Sequence, residues 1–256
     1  MSEKRCVILS GPSGVGKGPL VASLNKFHPE IRYEHIPVIK SRESRPQGPR
    51  PEETPLFDNP DYFRETNEIL HLAADPQYLV GYCRGLPQAI DLNMIQNTTS
   101  ELLFVELYHT IGAKLVKSKH LTGVNVVSIF LSPLGRQEIQ DLKSSGVNIG
   151  QYLCQIMLHK QLVRGRYLEN IDLEDALYSS RDSFSELPSA CIYSHVIVNH
   201  DCEGSPNWNR LPQGEFTARP EGDAGRSLTA LEKIIKNSAA VNAETWNDFN
   251  LYGPAQ

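Results

Sequence analysis

The sequence predicts an α/β fold on a mainly parallel sheet, and two observations carry the prediction. Short, uninterrupted apolar runs alternate along the chain with segments of helical period. The first of these runs ends on a glycine-rich loop that opens directly into a helical segment, giving the order strand, loop, helix.

Cys6–Ser10 is an apolar run ending at Gly11, which suits a strand covered on both faces. After the glycines, Leu20, Val21, Leu24 and Phe27 recur at helical spacing, so Pro19–Phe27 predicts a helix. Pro46, Pro49, Pro51, Pro55 and Pro60 stand among polar and charged residues and make 41–60 loop-like. Leu102–Leu107 and Val124–Leu131 read as two further buried strands, with a helix-compatible stretch, Ile111–Lys117, between them. Residues 134–187 predict mostly helix, and Ile192–Val198 a last strand. Asp201–Gly225, rich in Gly, Pro and Asn, predicts an irregular excursion with Arg210, Arg219 and Arg226 on its surface. Ser227–Asn237 closes as a helix with Leu228, Leu231, Ile234 and Ile235 on one face.

Composition narrows the function. A chain of 256 residues with 40% apolar content builds an ample core. A net charge of −5 lacks the basic excess of a nucleic-acid binder, so an anionic ligand must be drawn by local cations. Five scattered cysteines without a Cys-x-x-Cys pair read as reduced intracellular thiols, not as disulfides or a zinc site. The apolar part of MSEKRCVILSG is too short for a signal peptide, and no stretch approaches about 18 apolar residues. The expectation is a soluble cytoplasmic protein with no membrane or nucleic-acid partner.

Gly11-Pro12-Ser13-Gly14-Val15-Gly16-Lys17-Gly18 matches the phosphate-loop pattern G-x-x-x-x-G-K, with Gly18 where Ser or Thr is usual. Glycines let successive N–H groups turn toward one anion, and the following helix adds its positive end. Lys17 reaches the β- and γ-phosphates of a nucleoside triphosphate and offsets charge during transfer. This motif predicts the three-layer sandwich of P-loop NTPases, with ATP as ligand. Without a hydroxyl at position 18, Mg²⁺ would be held by the nucleotide's phosphates and water, with no metal ligand assigned to the protein.

Downstream, Ser41-Arg42-Glu43-Ser44-Arg45 sets two arginines that can converge on one phosphate through planar forks, and Asp61-Tyr62 follows. With these motifs the chain resembles the guanylate kinase family of nucleoside monophosphate kinases over about residues 5–200. The glycine loop looks like that family's own, and Ser41–Arg45 resembles its acceptor-phosphate motif. Glu106 falls where the family carries the aspartate of its LDIDxQG stretch, and Tyr193–Asn199 is similar to its YDYVIVN.

The resemblance implies that Ser41, Arg42, Arg45 and Tyr62 hold the acceptor's phosphate. It implies that Glu106 meets the guanine edge or the magnesium, and that Asn199 lies by the adenine of ATP. The family's arginine-bearing lid has two placements. One, at Asp141–Gly146, loses both arginines. The other, at Lys160–Arg166, supplies Arg164 and Arg166 as catalytic cations and makes 146–160 an insertion; transfer chemistry favours it. The implied organisation is a single domain over 1–240 with a tail at 241–256. Its core is 5–35, 100–135, 190–200 and 226–237, with an acceptor-binding insertion at 36–99 and a helical lid at 136–187.

The base-reading stretch departs from the family. Val80 stands where a tyrosine would meet the acceptor phosphate, beside Gly81, and Tyr82 replaces a hydroxyl that helps read guanine. The expected activity is ATP-dependent phosphorylation of GMP or dGMP. Two alternatives stay open: the same fold acting on another phosphorylated acceptor, such as a ribose bisphosphate, and an inactive interaction module.

Overall fold

The computed structural model describes residues 4–41, 62–167, 173–212, 214–238 and 242–249. Strand β1 (Arg5–Ser10) and helix α1 (Lys17–Phe27) flank the glycine loop, as the sequence predicts. The chain sorts into two compact units, Met1–Ser10 with Glu30–Ser128, and Gly11–Pro29 with Ile129–Gln256.

In the first unit Cys6, Val7, Ile8 and Leu9 of β1 are fully buried, which is why the run is apolar at every position. Two other strands of this unit are β2 (Glu34–His35) and β3 (Ile39–Lys40), followed by β4 (Tyr62–Phe63) and α2 (Thr66–Leu72). A hairpin of β5 (Tyr78–Cys83) and β6 (Leu86–Asp91) comes next, then α3 (Leu92–Asn97), β7 (Leu102–Glu106) and α4 (His109–Val116). β7 pairs in parallel with β1, Leu9 opposite Glu106, and with β2. A separate sheet runs β4-β3-β6-β5, its core made by Ile39, Ile69 and Ala89 with Leu72, Tyr78 and Val80 packed against them. The hairpin turns on Arg84 and Gly85, both at positive φ (52° and 81°), the backbone a two-residue loop demands.

Strand β8 (Asn125–Ser132) enters the second unit at Ile129 and pairs there in parallel with β9 (His195–Val198). Helices α5 (Arg136–Ser144), α6 (Ile149–Tyr167) and α7 (Leu173–Glu186) fill the region expected to be helical. α7 packs along α6, and α8 (Gly222–Ile235) packs on α1 and β9. The α/β class and the mainly parallel pairing expected from the sequence both hold.

Four local readings need correction. Ile192–Val198 is not all strand: Leu187–Ile192 forms a 3-10 turn started by Pro188, and the strand begins at His195. The last helix starts at Gly222, not Ser227, because the Asp201 carboxylate accepts the Ala224 N–H at 2.8 Å and so caps its first turn. The excursion is ordered rather than loose. Asp201 also accepts from Ser205 Oγ and Asn207 Nδ2, Trp208 is buried, and Arg210, expected on the surface, is buried over the Phe216 ring. The stretch after 241, expected as a tail, adds β10 (Ala243–Glu244) antiparallel to β9 and buries Trp246 completely.

All five cysteines are free thiols. Among the described residues no helix is long and apolar enough to cross a membrane.

Candidate functional site

The glycine loop sits wholly in the second unit, and its backbone is held from several sides. Gly16 (φ 101°) precedes α1, and a Cβ there would lie 2.7 Å from Asn199 Nδ2 and 3.0 Å from Trp208 Cζ2. Gly14 (φ 83°) is equally constrained, with Gln161 Nε2 at 2.8 Å from a Cβ. Any side chain at these positions would strain the backbone and collide with groups that shape the loop. Pro19 stands in the first turn of α1, where its missing N–H leaves no helical bond unmade.

Lys17 donates from Nζ to the carbonyls of Gly11 (2.7 Å) and Pro12 (3.0 Å). Gln161 Nε2 donates to Ser13 O at 2.7 Å, and Asn199 Nδ2 donates to Val15 O at 2.7 Å. The Glu203 N–H approaches Gly14 O at 3.4 Å. Five successive carbonyls, Gly11 to Val15, thus each have a donor. In a trans peptide the N–H points opposite the C=O. Anchoring the carbonyls of Ser13 and Val15 therefore turns the amides of Gly14 and Gly16 to the other side, where an anion can be gathered, while the Val15 N–H approaches Pro12 O at 3.4 Å. The start of α1 adds its partial positive charge.

Asn199, expected by the adenine of ATP, is fully buried, donates to Val15 O and Asp201 O, and accepts the Asp201 N–H, so it braces the loop. Arg164 is also buried, and its Nε pairs with Glu203 Oε2 at 2.8 Å. Arg166 lies in α6, with its side chain outside the described residues.

Lys160, Gln161, Glu203 and Trp208 were not anticipated as part of this site. The nearest sequence signal is the polar cluster Lys160-Gln161-x-x-Arg164 in the stretch expected to carry the lid. Lys160 donates to the carbonyls of Asn199 (3.2 Å) and His200 (2.5 Å). Burial pulls its ammonium down to about 8, with the nearby Cys202, Asp201 and Asp223 opposing that shift.

Next to Asn199, the His200 ring bridges Asp223 Oδ2 (2.8 Å) and Glu138 Oε1 (2.8 Å). Burial alone would lower its pKa, but hydrogen bonds and charge from the two carboxylates raise it above the ordinary 6.5. Arg226 pairs with the same Asp223. A raised folded pKa gives stability that is complete below the unfolded value and is lost as pH climbs through the folded one. The stability difference between wild type and His200→Gln should therefore be larger near pH ~6 than near pH ~8.5, as read by thermal unfolding. A difference independent of pH would contradict the bridge.

The acceptor-side residues belong to the first unit. Ser41 Oγ donates to Pro87 O at 3.1 Å, and Gly81 and Tyr82 pair with Gln88 and Pro87, so the three gather at one end of β6. α4 secures β5 from behind, with Lys114 Nζ on Val80 O at 3.3 Å and Thr110 Oγ1 on Tyr82 O at 3.2 Å. A Cβ on Gly81 would lie 2.5 Å from Ile111 Cγ1, so that close approach needs glycine. Tyr82 is 54% exposed. Glu106, half-buried, ends β7. Tyr62 stands in β4 with its side chain outside the described residues, and Arg42 and Arg45 lie outside them altogether.

No protein-family model matches the chain. It is 30% identical over 209 residues to the guanylate kinase of Synechococcus sp. (strain CC9311), covering 79% of this chain and 90% of that one. The chain belongs to the guanylate kinase family. Two other guanylate kinases align over shorter stretches. That of Synechococcus sp. (strain JA-3-3Ab) is 33% identical, and the chain spans 58% of its length. That of Trichormus variabilis is 31% identical, with 65% of its length spanned. A crystal structure of guanylate kinase from Anaplasma phagocytophilum matches 78% of this chain and 79% of its own, at 16% identity and a TM-score of 0.43.

Proposed function

We propose that the protein transfers the γ-phosphoryl group of ATP to a nucleoside monophosphate, with GMP or dGMP as the acceptor. The observation that carries this reading is the loop Gly11–Gly18, with its carbonyls anchored outward and Lys17 at the head of α1. An oxygen of the acceptor phosphate attacks the γ-phosphorus in line, the bond to the β–γ bridging oxygen breaks, and ADP leaves. The protein forms no covalent intermediate. Loop amides and Lys17 stabilise charge on the triphosphate, while Arg42, Arg45 and Tyr62 hold the acceptor phosphate. Arg164 is taken by Glu203 and acts in positioning, so the lid cation falls to Arg166.

Mg²⁺ enters as part of the substrate, MgATP. Gly18 offers it no hydroxyl, so phosphate oxygens and water would supply its coordination.

One observation favours a second reading. β5 presents Val80 and exposed Tyr82 where the family's acceptor contacts lie, which supports a different phosphorylated acceptor. Coupled ADP release, measured with GMP, dGMP, AMP, CMP, UMP and a ribose bisphosphate, separates the two. The first reading predicts that GMP or dGMP turns over fastest by at least about tenfold, the least discrimination expected of a hydrogen-bonding base pocket. Preference for the sugar phosphate would replace it.

A further inference from the structure

Lys160, Gln161 and Arg164 occupy positions i, i+1 and i+4 of α6, so they share one face of the helix. All three are buried, at 5%, 7% and 6% exposure. Lysine and arginine are rarely buried to this degree, and burying their charges is unfavourable unless partners compensate. Here each of the three has a partner that leads to the phosphate loop, and Lys160 also holds the carbonyl of His200. Gln161 donates directly to Ser13 O. Lys160 holds the carbonyl of Asn199, whose side chain holds Val15 O. Arg164 holds the carboxylate of Glu203, whose N–H approaches Gly14 O. Three consecutive loop carbonyls are therefore tied, directly or through one residue, to a single helix face.

We infer that this face of α6 is a positioning device that sets the phosphate-gathering amides of the loop. Lys160, Gln161 and Arg164 act through the backbone they hold, and Gln161 is the most direct of the three. The inference rests on the reading of Gly11–Gly18 as the cradle of ATP's phosphates, and it adds a consequence. Because the coupling is reciprocal, an occupied loop stabilises α6 as much as α6 orders the loop. The helix that carries the expected lid thus senses whether a triphosphate is bound.

Gln161→Met keeps the length and bulk of the side chain and deletes its amide, and with it the donor to Ser13 O. Lys160→Met does the same for the second tie. In the ligand-free protein, each variant should speed amide hydrogen exchange of residues 13–16 by about tenfold, the scale of one lost hydrogen bond. Each should weaken MgATP binding by a similar factor in calorimetry, about tenfold. Gln161→Met should leave the thermal midpoint within a few degrees, because a purely structural loss would lower stability without selecting the loop. Unchanged exchange at 13–16 in both variants would overturn the positioning role. Exchange is read without ligand, so it judges the helix face even if the wild-type protein binds no ATP, an outcome that would sink the proposed function instead.

Discussion

Lys17→Ala is expected to lower phosphoryl transfer by at least about two orders of magnitude, the scale of losing a principal stabiliser of developing charge. Lys17 stands at the first position of α1, and on the proposed reading it is the side chain that the loop delivers to the triphosphate. Its ammonium donates to Gly11 O and Pro12 O, so the variant also loses two bonds across the strand-to-helix turn. The loss should appear in turnover at saturating ATP and not only in KM, because charge on the migrating group grows in the transition state. ADP release measured with the best acceptor of the panel checks this. Turnover within a few-fold of wild type would remove Lys17 from the chemistry.

Trp208→Ala is expected to destabilise the fold by about 3–5 kcal/mol, the range for emptying a large aromatic site in a core. Trp208 is 1% exposed, and its indole N–H donates to Cys202 O at 2.8 Å. Its ring also closes one side of Gly16, within 3.0 Å of where a Cβ would stand. The truncation leaves a cavity beside the loop and removes one of the two donors to Cys202 O, the other being the Ser205 N–H at 3.0 Å. Trp208→Phe retains most of the packing and loses the N–H with part of the bicyclic ring, so its effect should be smaller, about 1–2 kcal/mol. Denaturant unfolding of both variants decides the matter. A Trp208→Ala change below about 1 kcal/mol would show that the excursion is not part of the core.

The parts of this fold that the sequence exposes are those with local causes. β1 and β7 read as continuous apolar runs, and β8 as a largely apolar one, because their central residues are buried. The glycine loop was legible because its positive-φ positions admit little but glycine. The start of α8 was missed because its cap comes from Asp201, 23 residues earlier. The hairpin of β5 and β6 escaped notice because Arg84-Gly85 turns it in place of the usual Asn-Gly.

At the site, the loop was read directly, but its braces were not. Gln161 and Ser13 are 148 residues apart, and no periodicity reports such a contact. The resemblance implies Asn199 beside a base but gives no sign that its amide also binds Val15 and Asp201. It set Arg164 among the catalytic cations, whereas a buried pair with Glu203 holds it. Asn199 meets backbone of and beside the loop, and Arg164 meets the Glu203 carboxylate, contacts that only tertiary structure reveals.

Calorimetric titration of the wild-type protein and of Lys17→Ala with MgATP tests the central claim most directly. The structure and the loop's chemistry together predict saturable binding at a single site in the wild type, and strongly weakened binding in the variant. No heat of binding in the wild type, or equal affinity in the two proteins, would contradict it.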